Sequence, residues 1–145
     1  MNIYIGDYQS ESFKIDIEGK LYPNAADYWD GNYLKALILF EIPGFSGRFH
    51  TNIRTFELGS FLSDLNNINT NLKGECVLSN VDETINVIGK INDLGSMTWH
   101  YTLIYPSGDG TIIKFRFTTS FSVINDLTKS IKSILSEWPI IGNPD

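Results

Sequence analysis

Alternation of apolar and polar residues is the strongest signal along this chain, and it predicts strands. Tyr4 with its polar neighbours, and then Phe13, Ile15 and Ile17, fall at every second position. That spacing predicts half-buried strands over residues 2–6 and 12–18. Residues 19–33 mix Gly, Asn, Asp and Pro with aromatics and read as a loop. Residues 34–42 are apolar on both faces: Leu34, Ala36, Ile38, Phe40 and Ile42 on one, Leu37 and Leu39 on the other. A strand of that kind is expected at the centre of a sheet, covered on both sides. Pro43-Gly44 ends it. Residues 45–53 then alternate again, with Phe45, Phe49 and Ile53 inward and Ser46, Arg48, His50 and Asn52 outward, which predicts a hairpin.

The period then changes. Phe56, Leu58, Phe61, Leu62, Leu65 and Ile68 fall near helical spacing, with Thr55 placed to cap. Gly59 weakens this helix by about 1 kcal/mol relative to Ala, and the asparagines at 66, 67, 69 and 71 end it. Strands follow over 75–79, 84–91, 97–105 and 111–119, joined by short turns such as Pro106-Ser107-Gly108-Asp109-Gly110. Connections that short require antiparallel neighbours. Ile124, Leu127, Ile131, Ile134, Leu135 and Trp138 trace one stripe of a final helix. Lys129 and Lys132 sit toward its C-terminus, where the dipole favours them, and Pro139 stops it. Helices are not interleaved one per strand, so a doubly wound parallel fold is excluded. The expectation is an α+β domain, a curved antiparallel meander of seven or eight strands with two amphipathic helices packed on it. The sequence contains no internal repeat.

Composition narrows the class. The chain of 145 residues is one domain's worth, and 42% apolar with 13% aromatic residues is too rich for disorder. The longest apolar run, residues 36–40, is far short of a membrane span. The N-terminus has no basic flank followed by an apolar stretch, so no signal peptide and a cytoplasmic location are expected. A single cysteine, Cys76, allows no internal disulfide. It sits in an apolar alternation, which predicts a buried, inert thiol.

Charge changes the picture further. The net charge is −6, and two segments hold most of it: residues 7–30 and residues 75–109 each carry a net −4. A negative field repels phosphates and favours basic partners, so nucleic acid is not the expected partner. Candidate chemistry is sparse. His50 and His100 do not supply a zinc motif, no nucleophile elbow or phosphate-binding glycine loop is present, and no cofactor is implied. Asp27 and Asp30 flank Tyr28-Trp29 in the predicted loop and leave a paired-carboxylate enzyme as one reading. A small-molecule or carbohydrate-binding module with an aromatic-lined concave sheet is another. Trp99, Tyr101, Phe115 and Phe117 are expected in the core rather than as a base-stacking platform.

One segment carries a resemblance. Asp27-Tyr28-Trp29-Asp30-Gly31-Asn32-Tyr33-Leu34 resembles the opening motif of WapI-like immunity proteins. The order after it is similar too: Gly44, Phe45, Gly47 and Phe49 in a hairpin, a helix, Lys73-Gly74-Glu75 opening a strand, a meander, and an amphipathic helix followed by Trp138-Pro139-Ile140-Ile141-Gly142. The chain departs from the family pattern at Thr119-Ser120-Phe121-Ser122-Val123, which keeps the aromatic residue but not the acid and amide before it. The resemblance implies a small bacterial cytosolic protein, without catalysis, cofactor or metal, that binds a cognate toxin domain. A toxin that cuts nucleic acid presents a basic cleft, and an acidic surface would be steered into it. The expected partner-binding residues are the acids Asp27, Asp30, Glu75, Asp82, Glu83 and Asp93, with Trp29 and Tyr33 as aromatic anchors.

Overall fold

The computed structural model describes residues 1–7 and 10–145. The strands are β1 (Asn2–Gly6), β2 (Ser12–Lys20), β3 (Tyr33–Ile42), β4 (Phe45–Arg54), β5 (Glu75–Ser79), β6 (Ile85–Ile91), β7 (Met97–Tyr105) and β8 (Thr111–Thr119). Helix α1 (Thr55–Asn71) follows β4, and helix α2 (Val123–Glu137) follows β8. The order is the expected one, and every paired strand is antiparallel.

The eight strands divide into two sheets, β1-β2-β3-β4 and β5-β6-β7-β8, rather than curving as one. The break falls where α1 enters between β4 and β5. The helix lies along β5, and the Asp64 carboxylate accepts the Val77 N–H at 3.1 Å, so this edge is covered by a helix instead of a neighbouring strand. Four strands and a helix therefore occur twice in succession. The repetition is one of element order only, because each half fills its inner face with different side chains.

The inner faces meet through rings. Phe13 packs on Tyr101 with centroids 4.9 Å apart, Phe40 stacks on Phe115 at 5.2 Å, and Phe49 stacks on Tyr105 at 5.0 Å. Trp99 and Tyr101 are almost completely buried, as expected for core residues. The Trp99 indole N–H donates to Thr119 Oγ1 at 2.9 Å. Two glycines make room for rings across the ladder. Gly89 pairs with Trp99 and Gly47 with Phe40, and a Cβ at either position would run into the facing ring. Burial of this two-sheet core, at about 25 cal/mol per Å² of apolar area, supplies the main driving force.

Several local expectations are corrected. Phe45 has inward parity but sits at the hairpin tip and is 71% exposed. Leu37 and Leu39 are half-buried on the outer face; in register they lie between Asp16 and His50, and between Lys14 and Arg48. Thr55 does not cap α1, because its hydroxyl donates to Asn32 Oδ1 at 2.8 Å. Lys129 and Lys132 fall short of the last turn of α2. Helix α1 runs to Asn71 through its asparagines and ends at Leu72 in the left-handed region, φ 56°.

Candidate functional site

The loop before β3 is built by its own side chains. Asp27 Oδ2 accepts the Asp30 N–H at 3.0 Å, and the Gly31 N–H donates to Asp27 O at 2.9 Å. Gly31 is required by space, since a Cβ would strike Asp27 O and the Ile141 side chain. Asn32 is fully buried, and its amide is completely used. Nδ2 donates to Tyr28 O at 2.7 Å and Ile141 O at 3.0 Å, while Oδ1 accepts from Thr55 Oγ1 at 2.8 Å and from the Ile141 N–H at 3.0 Å. A buried amide satisfied at both ends fixes the loop, the start of α1 and the C-terminal segment in one arrangement.

Aromatic rings cover this junction. Tyr28 stacks on Phe56 at 4.5 Å, Trp29 meets Tyr28 edge-on at 5.0 Å, and Tyr22 meets Tyr33 edge-on at 6.1 Å. Arg54, last in β4 and paired in register with Tyr33, lays its guanidinium 4.2 Å from the Tyr33 ring and 5.6 Å from both Trp29 and Phe56. Trp29 and Tyr22 remain about half exposed, at 49% and 47%.

The β5–β6 turn is drawn to the same end. Glu57 Oε1 accepts the Arg54 N–H at 2.6 Å and Oε2 accepts the Val81 N–H at 2.7 Å. Burial pushes the Glu57 carboxyl above its ordinary range, against the opposing pull of these two N–H donors. Asn80, also buried, donates to Thr84 Oγ1 at 2.7 Å and Asn52 O at 3.0 Å, and its Oδ1 accepts the Thr84 and Ile85 N–H groups. Asp82 thereby lies beside Asn52, whose Nδ2 reaches Asp82 Oδ2 at 3.5 Å, and Ser107 Oγ donates to Asp82 O at 2.6 Å. The Tyr33 hydroxyl is shifted upward, by burial first, with Arg54 opposing and Asp82 adding to the rise.

Asp27, Trp29, Asp30, Tyr33 and Asp82, with Glu83 next to it in the turn, are therefore gathered at one end of the molecule. Glu75 and Asp93 are not. Glu75 opens β5, where it pairs with Lys90 at 3.6 Å, and Asp93 lies in the β6–β7 turn. The seven residues of β6 separate that end from Asp82 by about 20 Å. The two acidic segments do not form a single face.

Sequence reasoning missed Asn32, Arg54, Phe56, Glu57 and Asn80. Arg54 was readable, since a tight turn at Pro43-Gly44 fixes the hairpin register and sets position 54 opposite Tyr33. Asn32 and Asn80 carry no local signal, because their partners are distant in the chain.

Other expectations can be placed. His50 and His100 are exposed, and His50 Nε2 lies 3.5 Å from Glu18. Among the described residues no three His, Cys, Asp or Glu side chains group to hold a metal. The Cys76 thiol is buried and pushed up to about 12, chiefly by desolvation. One concavity, of about 540 Å³, lies on the outer face of the first sheet. Its lining mixes two aromatic residues, Tyr4 and Phe40, with the charged Lys14, Glu41 and Arg48. Among the described residues no helix is long and apolar enough to cross a membrane.

Fold and site together define an α+β scaffold of two four-strand-and-helix halves with an ordered acidic and aromatic surface at one end. The chain belongs to the Immunity protein WapI-like family, whose pattern matches residues 3–139. Solved structures share the fold. The plant transcriptional regulator PBF-2 is similar with a TM-score of 0.55 at 11% identity, over 95% of this chain and 80% of that one. WHY3 from Arabidopsis thaliana gives 0.54 at 11% identity, over 95% and 86%. The Trypanosoma bruciei MRP1/MRP2 structure gives 0.51 at 9% identity, over 94% and 83%. At such identities the likeness concerns the fold alone. No curated protein sequence is similar enough to count as a match.

Proposed function

We propose that this protein is a bacterial, cytoplasmic immunity protein that neutralises a cognate toxin domain by binding it, without catalysis of its own. The observation that carries this reading is the family match over nearly the whole chain. The contact is the end of the molecule that carries Asp27, Asp30, Asp82 and Glu83. Those acids steer a basic cleft toward the surface and raise the rate of encounter. Trp29 and Tyr33 are the anchors, since large aromatics dominate interface energies. The Asn32 and Asn80 networks support this reading, because a surface ordered in advance costs less entropy on binding. Glu75 and Asp93, at the opposite end, fall outside the contact.

The test is coexpression with the toxin domain encoded beside this gene, scored by growth and by co-purification. Growth rescue with one-to-one capture supports the reading. Continued toxicity with no capture refutes it.

A further inference from the structure

The Arg54 guanidinium lies among three aromatic rings, and no carboxylate of the described residues pairs with it within 4.0 Å. Three rings hold it: Tyr33 at 4.2 Å, and Trp29 and Phe56 at 5.6 Å. Its Nε is buried with no hydrogen-bond acceptor among the described residues. A buried donor left without an acceptor is costly, because it loses its hydrogen bonds to water and gains none in the protein. Carboxylates are close by, yet none pairs with it. Both Glu57 oxygens are taken by the Arg54 and Val81 N–H groups, and Asp82 Oδ2 faces Asn52. Among the described residues the ion pairs within 4.0 Å lie elsewhere, at Lys14–Asp16, His50–Glu18 and Lys90–Glu75.

We infer that Arg54 is the receptor for a carboxylate of the bound toxin domain; this rests on the binding surface proposed above. A guanidinium packed among rings loses little further freedom on binding, and its planar fork donates two parallel hydrogen bonds to a carboxylate. The surroundings select how that carboxylate must be presented. Asp27, Asp30, Asp82 and Glu83 repel an isolated anion or a polyanion. An Asp or Glu enters only from within a cationic surface that satisfies those acids at the same time. The partner chemistry that fits is a basic protein cleft with one acidic side chain at its centre.

The experiment measures binding kinetics of the cognate toxin domain to wild type, Arg54→Lys and Arg54→Gln. It is combined with single Asp→Asn and Glu→Gln substitutions of the carboxylates in the toxin's cleft. Thermal unfolding of each Arg54 variant monitors its fold. The expected result is a loss of at least tenfold for Arg54→Lys, mainly in dissociation rate. One toxin substitution should cause a matching loss that does not deepen when combined with Arg54→Lys. If an Arg54 variant unfolds, the toxin substitutions against wild type carry the test: one must cost tenfold or more. Equal binding by folded Arg54 variants, or no toxin carboxylate that matters, overturns the inference while the binding reading stands. Failure of wild type itself to bind refutes both.

Discussion

Asn32 and Ile141 are 109 residues apart in sequence and exchange two hydrogen bonds, Nδ2 to the Ile141 carbonyl and the Ile141 N–H back to Oδ1, each 3.0 Å long. The pair joins the two ends of the family resemblance. The Asp-Gly-Asn loop and the Trp-Pro-Ile-Ile-Gly segment are one structural unit, and Gly142 completes it: at φ 72°, it approaches so closely that a Cβ would lie 2.7 Å from Tyr28 N.

Asn32→Ala should therefore destabilise the fold by about 2–3 kcal/mol, because it strands the buried Thr55 hydroxyl and part-buried backbone groups of Tyr28 and Ile141. Truncation after Pro139 removes the partner instead and should cost a similar amount. Denaturant unfolding of both variants, alone and combined, checks this. The combined loss should fall short of the sum, since both break one contact.

Gly89→Ala should cost about 1–3 kcal/mol through overpacking against Trp99. The backbone at Gly89 lies outside the left-handed region, so space alone sets the penalty. Trp99→Leu is destabilising by itself, but in its background the Gly89→Ala penalty should largely vanish. A double-mutant cycle reads the coupling directly.

Glu57 gives a pH signature. Its folded carboxyl binds a proton more tightly than the unfolded one, because burial outweighs its two N–H donors. Folding then favours the protonated form, so stability falls as pH rises from the ordinary glutamate value through the raised folded value, and levels off above it. Wild type should show this decline relative to Glu57→Gln in unfolding free energy between mildly acidic and neutral pH. A flat difference would contradict the assigned environment.

Cys76, held at about 12 by burial, should resist alkylation in the native state at pH 8. Its thiol donates to Gly89 O at 3.6 Å inside the second sheet. Modification should require unfolding, with a rate that rises with denaturant in parallel with the unfolded fraction. Because the folded value is raised, this thiol's contribution to stability is present at neutral pH and is lost as pH climbs through the unfolded thiol's value toward 12.

Element type and order were legible because period-two and helical spacings are local properties, strong in the stripes of β3, β7 and α2. Division into two sheets was not legible. It depends on α1 covering β5, an interaction between surfaces with no pattern of its own. The candidate site was half legible. Exposed Trp29 and the acids of its loop stand out by residue type, but Glu75 and Asp93 share a segment with Asp82 and yet lie at the far end of β6. Nearness in sequence did not show this separation, because a meander sends successive turns to opposite ends.

The central claim is that the acids around Trp29 and Tyr33, rather than acidity in general, direct toxin binding. The direct measurement is the Kd for the cognate toxin domain at low and high salt. The combined variant Asp27→Asn, Asp30→Asn, Asp82→Asn is compared with the combined variant Glu75→Gln, Asp93→Asn. Asn at 27 keeps the oxygen that accepts the Asp30 N–H, so the loop is retained. The account predicts at least tenfold weaker binding and a flatter salt dependence for the first variant, and wild-type behaviour for the second. Unchanged binding by the first variant, or equal losses in both, would contradict it.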